Sequence, residues 1–332
     1  METTFNAWRV RQYGGPDVLT PVTPTLPTPT TQQVLVRIRA SAVSRADGLM
    51  RAGQPRFARV FLGLKRPRAD LAGTCFAGDV AAVGQDVTQF RVGDAVFGEA
   101  GLHFGANASH ICVDACSSLM LKPATVPYEE AATLFDGAMT SWHFLTRLGQ
   151  VRPGDKVLVL GGSGSLGSAA VQFAKALGAH VTASASARNA GLLRSLGADR
   201  VVDYTSQNPL TKGADYDVVF DTLGVSSFAE ARPALTKTGR YLCPVLVLAL
   251  LRDMILTGLP GLSRGQRAKF AAAGMSTPDV HRAEMSEVLA LMAEEKFAPL
   301  MDRTYPLADL AEAHRYVETG RKRGNVVVLG AV

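Results

Sequence analysis

The chain has 332 residues, 47% hydrophobic and 19% charged, so it holds enough apolar surface for about two packed domains and is not a disordered polyelectrolyte. Its net charge of +6 comes from scattered basic residues; the densest runs, Lys65-Arg66-Pro67-Arg68 and Arg321-Lys322-Arg323, lack interleaved aromatics, which argues against nucleic acid as a partner. The longest apolar run, residues 241–251, is too short to span a membrane, and the opening residues show no targeting pattern, so a cytoplasmic protein is expected.

The first third reads as β-rich, with short apolar runs at 34–40 and 94–97 set between Gly, Pro and Asp turn signals. The Pro/Thr stretch 21–31 reads as a surface connection. From about Tyr128 helices alternate with short apolar strands. A strand at 156–160 precedes a helical period at Leu166, Ala169, Ala170, Phe173, Ala174 and Leu177, and the alternation continues through Val181, 192–196, 200–203 and 217–221. That order predicts an α/β domain with a doubly wound parallel sheet. Beyond Pro299 come a short extended piece, a helix at 308–318 and a last strand at 325–329. The four cysteines, Cys75, Cys112, Cys116 and Cys243, form no disulfide framework and read as small buried side chains.

Directly after the 156–160 strand stands Gly162-Ser163-Gly164-Ser165-Leu166-Gly167, a G-x-G-x-x-G at the start of a helix. In that setting Gly162 is expected to allow the tight turn, Gly164 to admit a pyrophosphate to the backbone, and Gly167 to let helix and strand pack closely. Uncapped amides at the helix start, Ser165 and Leu166 among them, then face a diphosphate. About 20 residues on, where an NAD site places an acid, the chain reads Ala183-Ser184-Ala185-Ser186-Ala187-Arg188. With no acid to repel a 2′-phosphate, and with Ser184, Ser186 and Arg188 to bind one, the expected cofactor is NADP(H). Arg188 as a solvated residue at a helix start is the competing interpretation.

Several stretches together resemble the medium-chain dehydrogenase/reductase superfamily, in its zinc-free quinone oxidoreductase branch: residues 93–98, 131–134, 140–142, 151–154, 171–179 and 196–204. The resemblance implies an N-terminal GroES-like barrel domain for substrate, covering 1–125 and 299–332. It also implies an NADP(H)-binding Rossmann domain over 126–298, with the active site in the cleft between them. It further implies cofactor contacts from Thr140, Tyr204, the loop ending at Gly224, and Arg323, although Arg323 can equally be a solvated turn residue.

Where zinc members of the superfamily carry their metal ligands, this chain has Ser44, Gly73-Thr74-Cys75 and Asp136, a poor donor set for tetrahedral zinc, so no metal is expected. Ser44 stands where quinone oxidoreductase relatives usually carry Asn facing the nicotinamide. Asp47, retained from their pattern, is either a catalytic group or the cap of the following turn. Asp136 is either an acid with a burial-raised pKa or a cap of the helix through Thr140. Without a Lewis acid, hydride addition to a quinone or an α,β-unsaturated carbonyl needs less help than alcohol oxidation, because the developing charge is delocalised. The leading expectation is therefore an NADPH-dependent quinone or enone reductase. A carbonyl or alcohol oxidoreductase of a biosynthetic pathway, and an NADPH-binding structural or regulatory protein with little catalysis, remain as alternatives. A strand edge near residues 267–273 suggests a homodimer.

Overall fold

A computed structural model of the chain describes residues 3–259 and 265–330. The polypeptide divides into two compact units: one runs to Asp136 and takes in Met275–Ala283 and the residues from Met301 on, and the other comprises Gly137–Gly274 and Glu284–Leu300.

The first unit is organised on the long strand Gln33–Val43. It pairs antiparallel with Cys75–Val83 along one edge, and with His110–Asp114 and the C-terminal strand Asn325–Leu329 along the other. Ala95–Glu99 and Ser118–Leu121 continue the sheet beyond Cys75–Val83, and Met301–Pro306 runs parallel to the last strand. Alternation decides which face is buried. Val34, Val36 and Ile38 point into a core with Phe76, Val96 and Leu119, while Arg37 and Arg39 from the other face bind Asp79. The helix Leu310–Glu318 buries Leu310, Ala313 and Val317, spaced three and four apart, against Val326 and Val328.

Within the same unit, residues 275–283 are tied down by polar contacts. Ser118 Oγ lies 2.7 Å from His281 Nδ1, and Arg282 donates to the carbonyls of Cys116 and Ser117. Two expectations change here. The stretch 21–31 begins inside a strand, Leu19–Val22, in which Pro21 sits opposite Trp8; a strand in a two-stranded ribbon tolerates the missing N–H. Cys116 is exposed on a turn, and Cys112 is half-buried, so only Cys75 and Cys243 behave as buried small hydrophobes.

The second unit is a six-stranded parallel sheet. Its order is Arg200–Asp203, His180–Ala185, Lys156–Leu160, Tyr216–Asp221, Leu235–Leu242, Arg267–Lys269. The winding direction reverses at Lys156–Leu160, and in open α/β sheets ligands bind outside the carboxyl end of the strands at that reversal. Residues 134–148 form an uninterrupted helical run with two π-helical turns, Leu134–Ala138 and Phe144–Leu148. Trp142 Nε1 donates to Glu287 at 2.6 Å, and His143 and Arg147 both bind Glu284, which these partners hold below the usual carboxylate range against its burial. No helix among the described residues is long and apolar enough to cross a membrane.

The helix Ser165–Ala176 packs onto the loop that precedes it at the limit of backbone contact: a Cβ on Gly167 would lie 2.1 Å from the Gly161 carbonyl oxygen and 2.7 Å from Gly162 Cα. Gly167→Ala should therefore lower stability by about 1–3 kcal/mol, as overpacking does. The check is the urea unfolding midpoint, which should fall at unchanged slope.

Candidate active site and dinucleotide loop

The glycine loop divides its tasks differently from the expectation. The tight turn is made by Gly161, at φ +74°, whereas Gly162 is needed because a Cβ there would press at 3.1 Å on Ala183 and Leu193. Gly164 has open space where its Cβ would be, with only the Gly161 oxygen near at 3.7 Å, which leaves its backbone free for close approach by a ligand. The helix starts at Ser165 with no side chain capping it, so its first-turn amides and positive dipole end suit a diphosphate.

Neighbouring side chains fix the loop. Asn189 Nδ2 donates to Ser163 Oγ at 3.0 Å, Ser141 Oγ donates to the Leu166 carbonyl, and a Cβ on Gly137 would meet Ser165 Oγ at 2.1 Å. The run containing half-buried Thr140 is therefore pressed against the loop, and Asn189 is a positioning residue that sequence reasoning missed. Asp221, fully buried, accepts from the amides of Leu223, Gly224, Val225 and Ser226 and from the Tyr241 hydroxyl. This places Gly224, at φ +66°, in a fixed turn beside the loop strand. The dipeptide Asp221-Thr222 at a strand end was the available signal.

At the end of His180–Ala185, Ser184 is buried, Ser186 is half-buried and Arg188 is exposed; Tyr204, from the neighbouring strand end, is 61% exposed. An acid does reach this corner, contrary to expectation. Asp203 accepts from the amides of Ala187 and Thr205 and from the Thr205 hydroxyl, and these bonds hold it below the usual carboxylate range. Those donors satisfy Asp203, and Arg188 and Tyr204 are among the exposed polar groups of the corner. Arg323 belongs to the first unit, where its amide donates to Asp302.

In the first unit, Ser44 is the N-cap of the helix Arg45–Arg51 and Asp47 its third residue. The Asp47 amide donates to Ser44 Oγ at 3.0 Å, while the Ser44 amide and hydroxyl each donate to Asp47 Oδ2 at 2.8 Å. Thr74 Oγ1 donates to the other oxygen at 3.1 Å. Ser44 is thereby occupied in a capping box. Asp136 lies inside the helical run at 134–148, so it does not begin a helix.

Asp47, Asp136, Glu99 and Cys75 lie close enough to repel one another electrostatically. Burial first, and the Asp136 and Asp47 charges second, push the Glu99 carboxyl up to about 8; burial, partly offset by the Ser44 bonds, pushes Asp47 up to about 6. Glu99 Oε2 is buried without a hydrogen-bond partner. The Cys75 thiol is pushed far up by burial and the same acids. The Lys322 ammonium is desolvated, which lowers its pKa, while Asp136, Asp302 and Asp47 pull it back up; it donates to the Gly324 carbonyl. Glu99 escaped sequence reasoning because nothing local marks it, and Lys322 stood out only as part of the basic run 321–323, with no sign that it is desolvated. With Ser44 and Thr74 committed to Asp47, and no three His, Cys, Asp or Glu side chains converging as ligands among the described residues, these positions do not fit a zinc ion.

Comparison with known proteins gives the family. Residues 30–141 match the family model for the alcohol dehydrogenase GroES-like domain and residues 196–328 that for zinc-binding dehydrogenase. The chain is 30% identical to the 2-methylene-furan-3-one reductase of Solanum lycopersicum, over 98% of this chain and 79% of that one. It is 29% identical, over the same shares, to the NADPH-dependent alkenal/one oxidoreductase of the Arabidopsis thaliana chloroplast. The quinone oxidoreductase structure from Coxiella burnetii superposes with a TM-score of 0.84 at 26% identity, covering 98% of this chain and 99% of that one.

Raised carboxyl pKa values carry a stability signature. Folded Glu99 and Asp47 keep protons that the unfolded chain releases near 4.5 and 3.8, so the folded state binds more protons between about pH 4 and pH 8. The stabilisation this represents is fully present below pH 4 and lost as the pH rises through about 6 and then about 8. The contribution of Glu99 to the pH dependence of the melting temperature should thus be a decline between pH 5 and pH 8. Glu99→Gln should flatten that decline, measured by calorimetry against the parent at matched ionic strength. The two domain models, the relatives along nearly the whole length and the fold place this chain in the medium-chain dehydrogenase/reductase superfamily, in its quinone oxidoreductase-like branch, as an oxidoreductase.

Proposed function

We propose that the protein is an NADPH-dependent, zinc-independent reductase of α,β-unsaturated carbonyl compounds or quinones. The observation that supports this reading is the cluster of acids Asp47, Asp136 and Glu99, of which Glu99, pushed up to about 8, keeps its proton near neutral pH. The named substrates of the two plant relatives, a methylene-furanone and alkenals or alkenones, are of the same conjugated class. Bound NADPH supplies a hydride.

In this chain the loop amides from Gly164 onward hold the diphosphate, and Arg188 with Ser186 and Tyr204 receives the 2′-phosphate. We assign half-buried Asp136 the role of handing a proton to the reduced acceptor. Glu99, protonated near neutral pH, is the other proton carrier of the cluster. Asp47 is fixed by Ser44 and Thr74 and tunes Asp136 by its charge.

Arg188→Ala should weaken NADPH binding by roughly tenfold or more, since a charge-assisted bond is worth about 1.5–3 kcal/mol, and leave NADH nearly unchanged, read by nicotinamide fluorescence. Equal loss for both cofactors would show that Arg188 only supports the turn. Asp136→Asn should lower kcat on an enone by about 10²-fold at unchanged NADPH affinity if Asp136 is the acid. NADPH binding with no turnover over a broad panel of enones and quinones would instead favour a structural or regulatory protein.

We extend the proposal to a homodimer through the second unit. The strand Arg267–Lys269 lies at the sheet edge, but Thr257 Oγ1 already accepts from the Ala268 amide, so the edge is partly capped. The helix Leu248–Gly258 beside it exposes Leu248, Leu251 and Ile255, an apolar face that a second copy would cover. Light scattering at micromolar concentration should give twice the chain mass, and Leu251→Glu with Ile255→Glu should give the monomer.

A further inference from the structure

One segment of the first unit turns a surface to solvent that the proposed reaction does not use. The 3-10 turn Arg56–Ala58 runs directly into the short helix Arg59–Leu62, and Phe57, Val60 and Phe61 recur along them three and four residues apart, on one face. These three are between 47% and 58% exposed, and Leu64, just beyond the helix, is 71% exposed. Leu62, by contrast, is buried. Polar contacts hold the segment in place. The Arg59 guanidinium stacks over the Tyr13 ring at 4.4 Å and donates to the Gly53 carbonyl, while the Tyr13 hydroxyl donates to the Gly63 carbonyl. Four large apolar side chains are thus held in water together, and such a patch marks an interaction surface.

Charge narrows what covers it. The run Lys65–Arg68 has no aromatic within it, but the fold sets it against the end of the helix that carries Phe57 and Phe61. The Arg68 amide donates back to the Leu62 carbonyl at 2.7 Å, and a Cβ on Gly63 would lie 2.0 Å from the Arg66 carbonyl oxygen. Arg56, Lys65, Arg66 and Arg68 are all exposed, and no acid stands between Asp47 and Asp70. Asp47 is buried and held by Ser44 and Thr74, and Asp70 is bound to Arg9 at 2.7 Å, so neither compensates the four cations. A second copy is a poor cover, because a two-fold contact through this face sets the cations against their own counterparts. The helix Leu248–Gly258 differs, since its exposed Arg252 is bound to Asp253. A partner that offers hydrocarbon to the apolar tips and phosphate to the cations at the same level is an anionic lipid bilayer.

We propose that residues 56–68 form a membrane-surface patch: Phe57, Val60, Phe61 and Leu64 enter the boundary between headgroups and acyl chains, and Arg56, Lys65, Arg66 and Arg68 bind the lipid phosphates. The inference does not depend on the reaction proposed above. Together with it, the patch gives the protein access to acceptors dissolved in lipid.

The test is sedimentation of the whole chain with vesicles at about 0.1 M salt. Phosphatidylcholine vesicles containing about one-third phosphatidylglycerol should bind it, and phosphatidylcholine alone at least about tenfold more weakly. Lys65→Glu with Arg66→Glu should lower binding about 25-fold or more, since each basic residue near such a surface is worth about fivefold. Phe57→Ser with Phe61→Ser should lower it about tenfold through lost apolar burial, with Val60→Ser and Leu64→Ser as the second pair should the first fail to fold. Lys212→Glu with Lys237→Glu, the same charge change at exposed positions of the second unit, should leave most of the binding intact. No binding to anionic vesicles, equal binding to both lipids, or an equal loss in the Lys212 and Lys237 variant would overturn the proposal. So would full binding by a folded variant lacking the apolar pair. A dimer dissociated by Phe57→Ser with Phe61→Ser would put a second copy on the patch, and duplex DNA bound without vesicle binding would put nucleic acid there; either outcome overturns the membrane assignment.

Discussion

Both oxygens of the Asp47 carboxyl are held, Oδ2 by the Ser44 amide and hydroxyl and Oδ1 by Thr74, in a place where water is excluded. A charge so buried must be paid for by hydrogen bonds or abandoned by taking up a proton. Here the two tendencies nearly balance, which is why its pKa settles at about 6 rather than at an extreme. Its charge adds to the burial and the Asp136 charge that raise Glu99 and Cys75, and helps Asp136 and Asp302 pull against the desolvation of Lys322, so the group is coupled to this capped helix start.

The second unit is governed by backbone proximity instead of charge. Gly161 bends the chain, Gly162 and Gly167 let the helix and neighbouring strand close on the turn, and Gly164 is left uncovered. Asn189 and Ser141 then tie the loop to two separate segments, and Thr222 Oγ1 donates to the Leu160 carbonyl just before it. A diphosphate site of this kind works because its donors are already fixed before the ligand arrives, so little ordering entropy remains to be spent on binding.

Local pattern was a good guide wherever one face of an element had to be buried. The strands Lys156–Leu160 and Asn325–Leu329 fall where apolar runs end at polar neighbours, and the helix Ser165–Ala176 follows the period of its alanines and Phe173. The glycine spacing in that context, the two serines with Arg188, and the Ser44/Asp47 pair with its three-residue spacing could all be read from the chain. Proline misled at Pro21, where an edge position tolerated it, and the sequence left two roles open for Asp136 because it does not show the π-helical turn in which that residue sits.

The sequence by itself determined the doubly wound sheet, the glycine loop and the absence of an acid at the end of its second strand, since each follows from residue type and spacing along a short stretch. Only tertiary structure decided the rest. Asp203 reaches the cofactor corner from an adjacent strand, and Glu99 comes within range of Asp136 and Asp47 from a different part of the sheet. Desolvation and charge coupling depend on distance in space and on what excludes water, and neither quantity is written in the order of residues.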